Sequence, residues 1–264
     1  MKKRKRNEKI LLILLILALF AVNYTFLDQS VQNFMIDRET FFVERIVDGD
    51  TIVANGENIR LLGINTPERG EEYYDEAKQY LSDLVLNKTV ELEFGPERRD
   101  KYGRLLAYVY EGETLVNKEM VYQGYANIYF PSGKDNHYNS FLKLWRDCIE
   151  QNHNLCEESA YVFAHCIELK EISSLTQEVV FHNKCERGYD ITNWIIKGES
   201  RKKFIIPTFK IKAYSDFTLK VGEGNSDQEN QILYWTNEDQ VWTSTGDSLF
   251  LRDDKNKLVL WDSY

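Results

Sequence analysis

Apolar and polar residues alternate with a period of two over Phe41–Ile46, over Thr51–Ala54 and again over Ile59–Ile64. That period marks half-buried strands. Asn55-Gly56 separates the second run from the third, and Asn-Gly between apolar runs predicts a two-residue hairpin. Thr66-Pro67 ends the third run, because proline cannot donate to a ladder. Over Glu71–Leu86 the period becomes helical, with Ala77, Leu81, Leu84 and Val85 among the recurring apolar positions. Strands are predicted at Thr89–Phe94, Gly103–Tyr110 and Glu113–Val116, with a charged loop over Gly95–Tyr102 and a turn at Glu111-Gly112. Helices are predicted at Asn117–Gln123 and His137–Gln151. Short strands with an inserted helix predict a small closed barrel with helices outside.

Beyond residue 164 the pattern is one of short strands alone: Cys166–Ile172, Glu178–Asn183, Asn193–Lys197, Lys203–Ile206, Asp216–Val221, Gln231–Tyr234, Asp247–Arg252 and Leu258–Trp261. Turn residues recur at Gly198, Pro207, Gly222-Glu-Gly224, Gly246 and Asp253-Asp254. This spacing predicts a β-sandwich. At the other end, Ile10–Val22 is an uninterrupted apolar run that continues through Leu27, preceded by Lys2, Lys3, Arg4, Lys5, Arg6 and Lys9. With its flanking residues the run approaches the roughly 20 residues that cross a bilayer, and the basic block is a positive-inside signal. No small-x-small cleavage site is evident, so an uncleaved signal anchor with an exported body is favoured over a secreted, cleaved form. The expected plan is 1–27 as basic segment and transmembrane helix, 28–40 as tether, 41–156 as barrel and 164–264 as sandwich.

Composition narrows this picture. A chain of 264 residues with 43% hydrophobic content supports two packed domains and excludes general disorder. The net charge of −9 disfavours tight, non-specific nucleic-acid binding, which draws on lysine and arginine. A turnover enzyme is less constrained, because a bound cation dominates its site. Four cysteines, Cys148, Cys156, Cys166 and Cys185, suit disulfides in an exported chain. A hairpin centred near residue 175 or 176 would oppose Cys166 and Cys185, and Cys148 with Cys156 would close a short loop at a helix end. All four histidines (137, 153, 165 and 182) share this region, so a zinc site is the alternative; no Cys-x2-Cys pair supports it.

The candidate chemistry lies in Val47–Glu68, which holds the carboxylates Asp48, Asp50 and Glu68 and the guanidinium of Arg60. The hairpin would bring Asp50 towards Asn65–Glu68. Carboxylates, an arginine and a hard-cation site are the needs of metal-assisted phosphodiester chemistry. Arg98-Arg99-Asp-Lys-Tyr-Gly-Arg104 is the one concentrated basic stretch of the body, and Arg104 offers a second planar fork for phosphate charge.

Asp48-Gly-Asp-Thr, Arg60-Leu-Leu-Gly-x-x-Thr-Pro-Glu68, Asp100-Lys-Tyr-Gly-Arg-x-Leu-Ala107-Tyr and Val116-Asn-x-x-Met-Val-x-x-Gly124-x-Ala126 resemble the thermonuclease, or staphylococcal nuclease, family in order and spacing. The resemblance covers residues 41–156 and implies an OB-fold, Ca²⁺-dependent nuclease acting on DNA and RNA. It implies Asp50 as a Ca²⁺ ligand with Asp48 behind it, the Thr66 carbonyl as another ligand, Glu68 as general base, and Arg60 and Arg104 as phosphate clamps. Lys101, Tyr102 and Tyr129 would line the nucleotide site. Asn65 stands where the family has a second ligating aspartate, which lowers the charge of the cation site. Asp190-Ile-Thr-Asn-Trp194, Val241-Trp242-Thr-x-x-Gly246-Asp247 and Val259–Tyr264 resemble the lamin-tail domain, an Ig-like module, which implies a binding or placement role. The competing readings are an adaptor barrel that has lost its chemistry, favoured by Asn65 and the acidity, and a cytosolic nuclease with free thiols.

Overall fold

The computed structural model describes residues 38–264. The expected transmembrane run, and all of the tether but its last three residues, lie outside the described residues. Thr40–Tyr264 form one compact unit; of the other unit, Met1–Glu39, only Arg38 and Glu39 are described, and they open the first strand. Among the described residues no helix is long and apolar enough to cross a membrane.

The N-terminal half is built from β1 (Arg38–Asp48), β2 (Thr51–Ala54), β3 (Glu57–Leu61), β4 (Gly63–Asn65), β5 (Thr89–Arg99), β6 (Leu105–Glu111), β7 (Thr114–Leu115) and β8 (Asn127–Tyr129). Three helices join them: α1 (Tyr74–Val85), α2 (Val116–Tyr122) and α3 (Tyr138–Gln151). The order β3-β2-β1-β5-β6 is closed by a parallel β3–β6 pairing, which makes a five-stranded barrel. The β2–β3 hairpin turns on Asn55 and Gly56 as the sequence predicts, with φ of 48° and 75° at the two positions. Both are left-handed, the geometry whose twist matches the flanking strands. Helix α1 buries Ala77, Leu81 and Val85, one face at i, i+4 and i+8.

Two expectations need correction. The charged loop over Gly95–Tyr102 is strand as far as Arg99. Pro96 is tolerated there because the β5–β6 register jumps between Phe94 and Arg99, so no regular ladder bond is required of it. The strand β8 was not expected at all; it pairs with β4 and sets Asn127 opposite Asn65.

The C-terminal half consists of β9 (Ile167–Ser173), β10 (Glu178–Asn183), β11 (Tyr189–Asp190), β12 (Ile195–Lys197), β13 (Lys203–Ile205), β14 (Lys210–Ile211), β15 (Ser215–Val221), β16 (Ile232–Trp235), β17 (Ser248–Arg252) and β18 (Leu258–Ser263). Two four-stranded sheets, β16-β15-β10-β9 and β13-β12-β17-β18, share one buried cluster that includes Phe181, Trp194, Phe217, Trp242, Leu249 and Leu251. The tryptophans Trp194 and Trp242 are core residues. Strand β17 is buried on both faces. Leu249 and Leu251 point into the C-terminal cluster, while Phe250 joins the barrel cluster and meets Trp145 of α3 edge to face at 5.5 Å. One strand therefore ties the two halves together.

Both expected disulfides form, Cys148–Cys156 and Cys166–Cys185, and no cysteine is free. The β9–β10 ladder ends with Asn183 opposite Ile167, and the Lys184 N–H donates to the Cys166 carbonyl at 2.9 Å. The second bridge thus sits just past the last ladder pair. His165 lies beside this bridge, but the bonded sulfurs offer no thiolate for zinc.

Candidate active site

The tight Asp48-Gly-Asp50 bend sits at the β1–β2 junction, and its middle residue is glycine for want of space. A Cβ at Gly49 would stand 2.9 Å from Thr66 Oγ1 and 3.0 Å from Ala77 Cβ. The bend is thereby pressed against the loop after β4. Asp50 is fully buried: its Oδ2 accepts from the Thr66 N–H at 3.2 Å and forms an ion pair with Arg60 Nη2 at 3.0 Å, and its Oδ1 accepts from Thr51 Oγ1 at 3.0 Å. Asp48 Oδ1 accepts from the Asp50 N–H at 3.3 Å. Burial, with the Asp50 charge beside it, pushes the Asp48 carboxyl up to about 6. Two carboxylates crowded in this way favour a retained proton or a nearby positive charge, of which Arg60 supplies one.

Arg60 is held by backbone as much as by charge. Its Nη1 donates to the Leu61 carbonyl at 2.6 Å, and its Nη2 donates to the Ile64 carbonyl at 2.8 Å and to Asn65 Oδ1 at 3.2 Å. Burial lowers its pKa, and the Asp50 charge opposes that. Arg104 is fixed within its own turn, just before the strand that pairs with β3: its Nε donates to Asp100 Oδ2 at 2.8 Å and its N–H to Asp100 Oδ1 at 3.0 Å. Arg60, Arg104 and Tyr129 line one cleft of about 530 Å³ together with Tyr108 and Lys134. Lys101 and Tyr102 do not line it. They project from the exposed tip of the turn, Tyr102 being 73% exposed.

Thr66 and Glu68 line a second cleft, of about 210 Å³, on the other side of the Arg60–Asn65 contact. Its far wall belongs to the C-terminal half, and this the sequence reading missed. Arg201, on the β12–β13 turn, forms an ion pair through Nε with Glu68 Oε1. The same nitrogen is 3.4 Å from Asn65 Oδ1, and Arg201 Nη2 is 3.9 Å from Asp50 Oδ2. The turn is anchored by buried Glu199, whose carboxylate accepts from the Phe130 N–H and from Ser248 Oγ, each at 2.8 Å. Lys203 pairs with Glu71 at 2.7 Å, and Lys257 with Glu72 at 3.1 Å. The only local hint was the charged string Glu199-Ser-Arg-Lys-Lys203, which reads equally well as a solvated turn.

The donor set at the bend is all oxygen: Asp50, Asp48 and the Thr66 backbone. That fits a hard divalent cation and suits no thiophilic metal. The Asn65 amide oxygen already accepts from two guanidinium groups, so it is the least free of the expected ligands.

A closed five-stranded barrel that places an acidic bend and two arginines at one edge defines a class of OB-type proteins with a polar, cation-suited site. The sequence profile described as staphylococcal nuclease homologue matches residues 58–157. An uncharacterized endonuclease of Haemophilus influenzae is 32% identical over 124 residues, 42% of this chain and 68% of that protein. A thermonuclease of Staphylococcus intermedius is 35% identical over 102 residues, 35% of this chain and 61% of its own length. The SPbeta prophage-derived endonuclease YokF of Bacillus subtilis is 32% identical over 146 residues, 48% of this chain and 49% of that protein. The chain belongs to the staphylococcal nuclease homologue family. It spans about three fifths of the length of the staphylococcal thermonuclease.

Proposed function

We propose that the protein is a Ca²⁺-dependent endonuclease that hydrolyses phosphodiester bonds of DNA, RNA or both. The observation that carries this reading is the convergence of Asp50, Arg60 and the Thr66 N–H on one buried network beside Glu68, with Arg104 and Arg60 lining a common cleft. Asp50, supported by Asp48 and the Thr66 carbonyl, would hold the cation. When bound, the cation supplies Lewis-acid stabilisation of phosphoryl charge. Glu68 accepts the proton of the attacking water. The water oxygen forms a new bond to phosphorus as the bond to the leaving oxygen breaks. Arg60 is rigid, since its donors are committed to backbone carbonyls, and it presents a preorganised charge to the equatorial oxygens. Arg104, held by Asp100 and the Tyr102 ring of its own turn, is the more adjustable fork.

For Glu68 to act as base, the Arg201 pair must open or share the carboxylate. That contact favours a second reading, an adaptor whose barrel binds without cleaving. Titrating Ca²⁺ into assays with DNA and with RNA separates the two. Ca²⁺-dependent cleavage lost on chelation, and reduced by ~10² or more in Glu68→Gln, supports the nuclease. Full activity in Glu68→Gln removes the base assignment, and no cleavage of either substrate supports the adaptor.

We further propose that the body is exported and anchored by the Ile10–Val22 run, that the Ca²⁺ outside a cell serves the low-charge site, and that the two C-terminal sheets form an Ig-like sandwich of lamin-tail type. Two disulfides favour an oxidising compartment.

A further inference from the structure

The second cleft carries more positive charge than its carboxylates absorb. Lys197, Lys203 and Arg252 lie on the β12, β13 and β17 strands of one sheet and line this cleft, and Arg201 stands at its rim. Lys197 and Lys203 are directly opposed in the β12–β13 ladder. Like charges at such positions are unfavourable unless an anion lies between them. The cleft carboxylates Glu68, Glu71 and Glu72 are each engaged, by Arg201, Lys203 and Lys257. Arg252 is left over: it is 2% exposed, its Nη1 donates to the Asn256 carbonyl at 3.0 Å, and its Nη2 has no hydrogen-bond partner. Half-buried Lys197 forms no close ion pair: its Nζ stands 5.8 Å from the Phe250 ring centroid, and the charges of Glu71 and Glu68 act on it from further away. Burial and the nearby Arg252 charge pull it down to about 8, and burial brings Arg252 down to about 10. A buried guanidinium with no close carboxylate and one nitrogen left without an acceptor is costly to maintain, even with the charges of Glu72 and Asp253 acting on it.

We propose that the C-terminal half supplies a second phosphate-binding subsite, formed by Lys197 and Arg252 with Lys203 at its edge, for a backbone phosphate of the same strand whose neighbouring phosphate lies at the Arg60–Glu68 site. The inference rests on the nuclease reading for the identity of the strand. A strand would run from the Arg60–Arg104 cleft, past the Arg60–Asn65 contact that separates the two clefts, into the groove between the halves. The acidic chain would thus obtain its phosphate affinity from a few placed cations rather than from net charge.

The test uses the full-length chain and a labelled single strand of about ten nucleotides, linked by phosphorothioates to resist cleavage, in the presence of Ca²⁺. Lys197→Gln is expected to weaken binding about fivefold or more and to reduce the slope of log Kd against log salt by ~0.7, the loss of one phosphate contact. Lys197→Arg is expected to bind as the parent does. Lys210→Gln, which makes the same charge change outside this cleft, is expected to leave affinity unchanged. Equal affinity and slope for Lys197→Gln and the parent overturn the subsite, and so do equal losses in Lys197→Gln and Lys210→Gln, which would report net charge alone. Calorimetry with inorganic phosphate distinguishes the source of the anion. Lys197-dependent phosphate binding with unaltered oligonucleotide affinity would assign the cleft to free phosphate and overturn the strand. Binding here is read without turnover, so failure of the nuclease reading, seen as no cleavage of any substrate, is a separate result.

Discussion

Glu199 offers the sharpest physical test of how the two halves are joined. It is 5% exposed, and burial pushes its carboxyl from 4.5 up to about 7, with the Asp247 charge adding to the rise and Lys134 opposing it. Between these values the folded chain holds a proton that the unfolded chain has released. Stability therefore falls as pH rises from 4.5 to about 7 and is level above that. At about 1.4 kcal/mol per pH unit, the full loss comes to roughly 3 kcal/mol. Glu199→Gln removes the titration. The carboxamide oxygen still accepts from the Phe130 N–H, and the amide can donate to Ser248 Oγ, which reverses that bond rather than breaking it. Urea unfolding of parent and variant across the range from pH 5 to 8 measures the effect. The stability of the variant relative to the parent should climb by about 2–3 kcal/mol over that interval and then plateau. Asp247 titrates in both proteins and so largely cancels in the difference. A flat difference, or one that falls with pH, would refute the account of Glu199 as a buried carboxyl that folding protonates.

Three other outcomes are expected. Arg104→Ala should lower kcat by about 10²–10³ with little change in thermal stability, because its side-chain contacts are with Asp100 and Tyr102 of the same turn; an unchanged kcat removes it from the phosphate site. Arg201→Gln should tighten Ca²⁺ binding, measured by calorimetry, by about tenfold, because a guanidinium 3.9 Å from Asp50 repels a cation held there; weaker binding would mean that Arg201 organises the ligands. Replacing Cys166 and Cys185 by serine opens a loop with a sequence separation of 19 and should cost about 3 kcal/mol in urea unfolding; dithiothreitol, which also reduces Cys148–Cys156, should cost the parent at least as much.

The site was legible in the sequence where its parts are local. Asp48, Asp50, Arg60 and Glu68 fall in one hairpin and its following turn, and Asn55-Gly56 dictates the fold-back that joins them. What lay hidden came from tertiary contact. Arg201 reaches Asn65 from 136 residues away, and its turn carries no apolar period to announce where it will dock. The three residues of β8 are too few for a period of two to stand out, although the pairing of β8 holds Asn65 in place. The β5 extension was masked by Gly95-Pro96, which usually ends a strand and here occupies a register jump. Lys101 and Tyr102 share a motif with Arg104 but not its cleft, because the Asp100 turn directs Arg104 inward and leaves them at its exposed tip.

The placement of Phe250 and Leu258 in the barrel's own cluster, with Trp261 packed against it, has a consequence for modularity. Each half lacks part of its interior when the other is removed. A chain truncated after the second disulfide-bonded loop would expose the face of Trp145 that Phe250 now covers. The two halves should therefore melt in one calorimetric transition whose van't Hoff and measured enthalpies agree. Proteolytic or engineered separation of the barrel should produce an aggregating fragment rather than a smaller working unit.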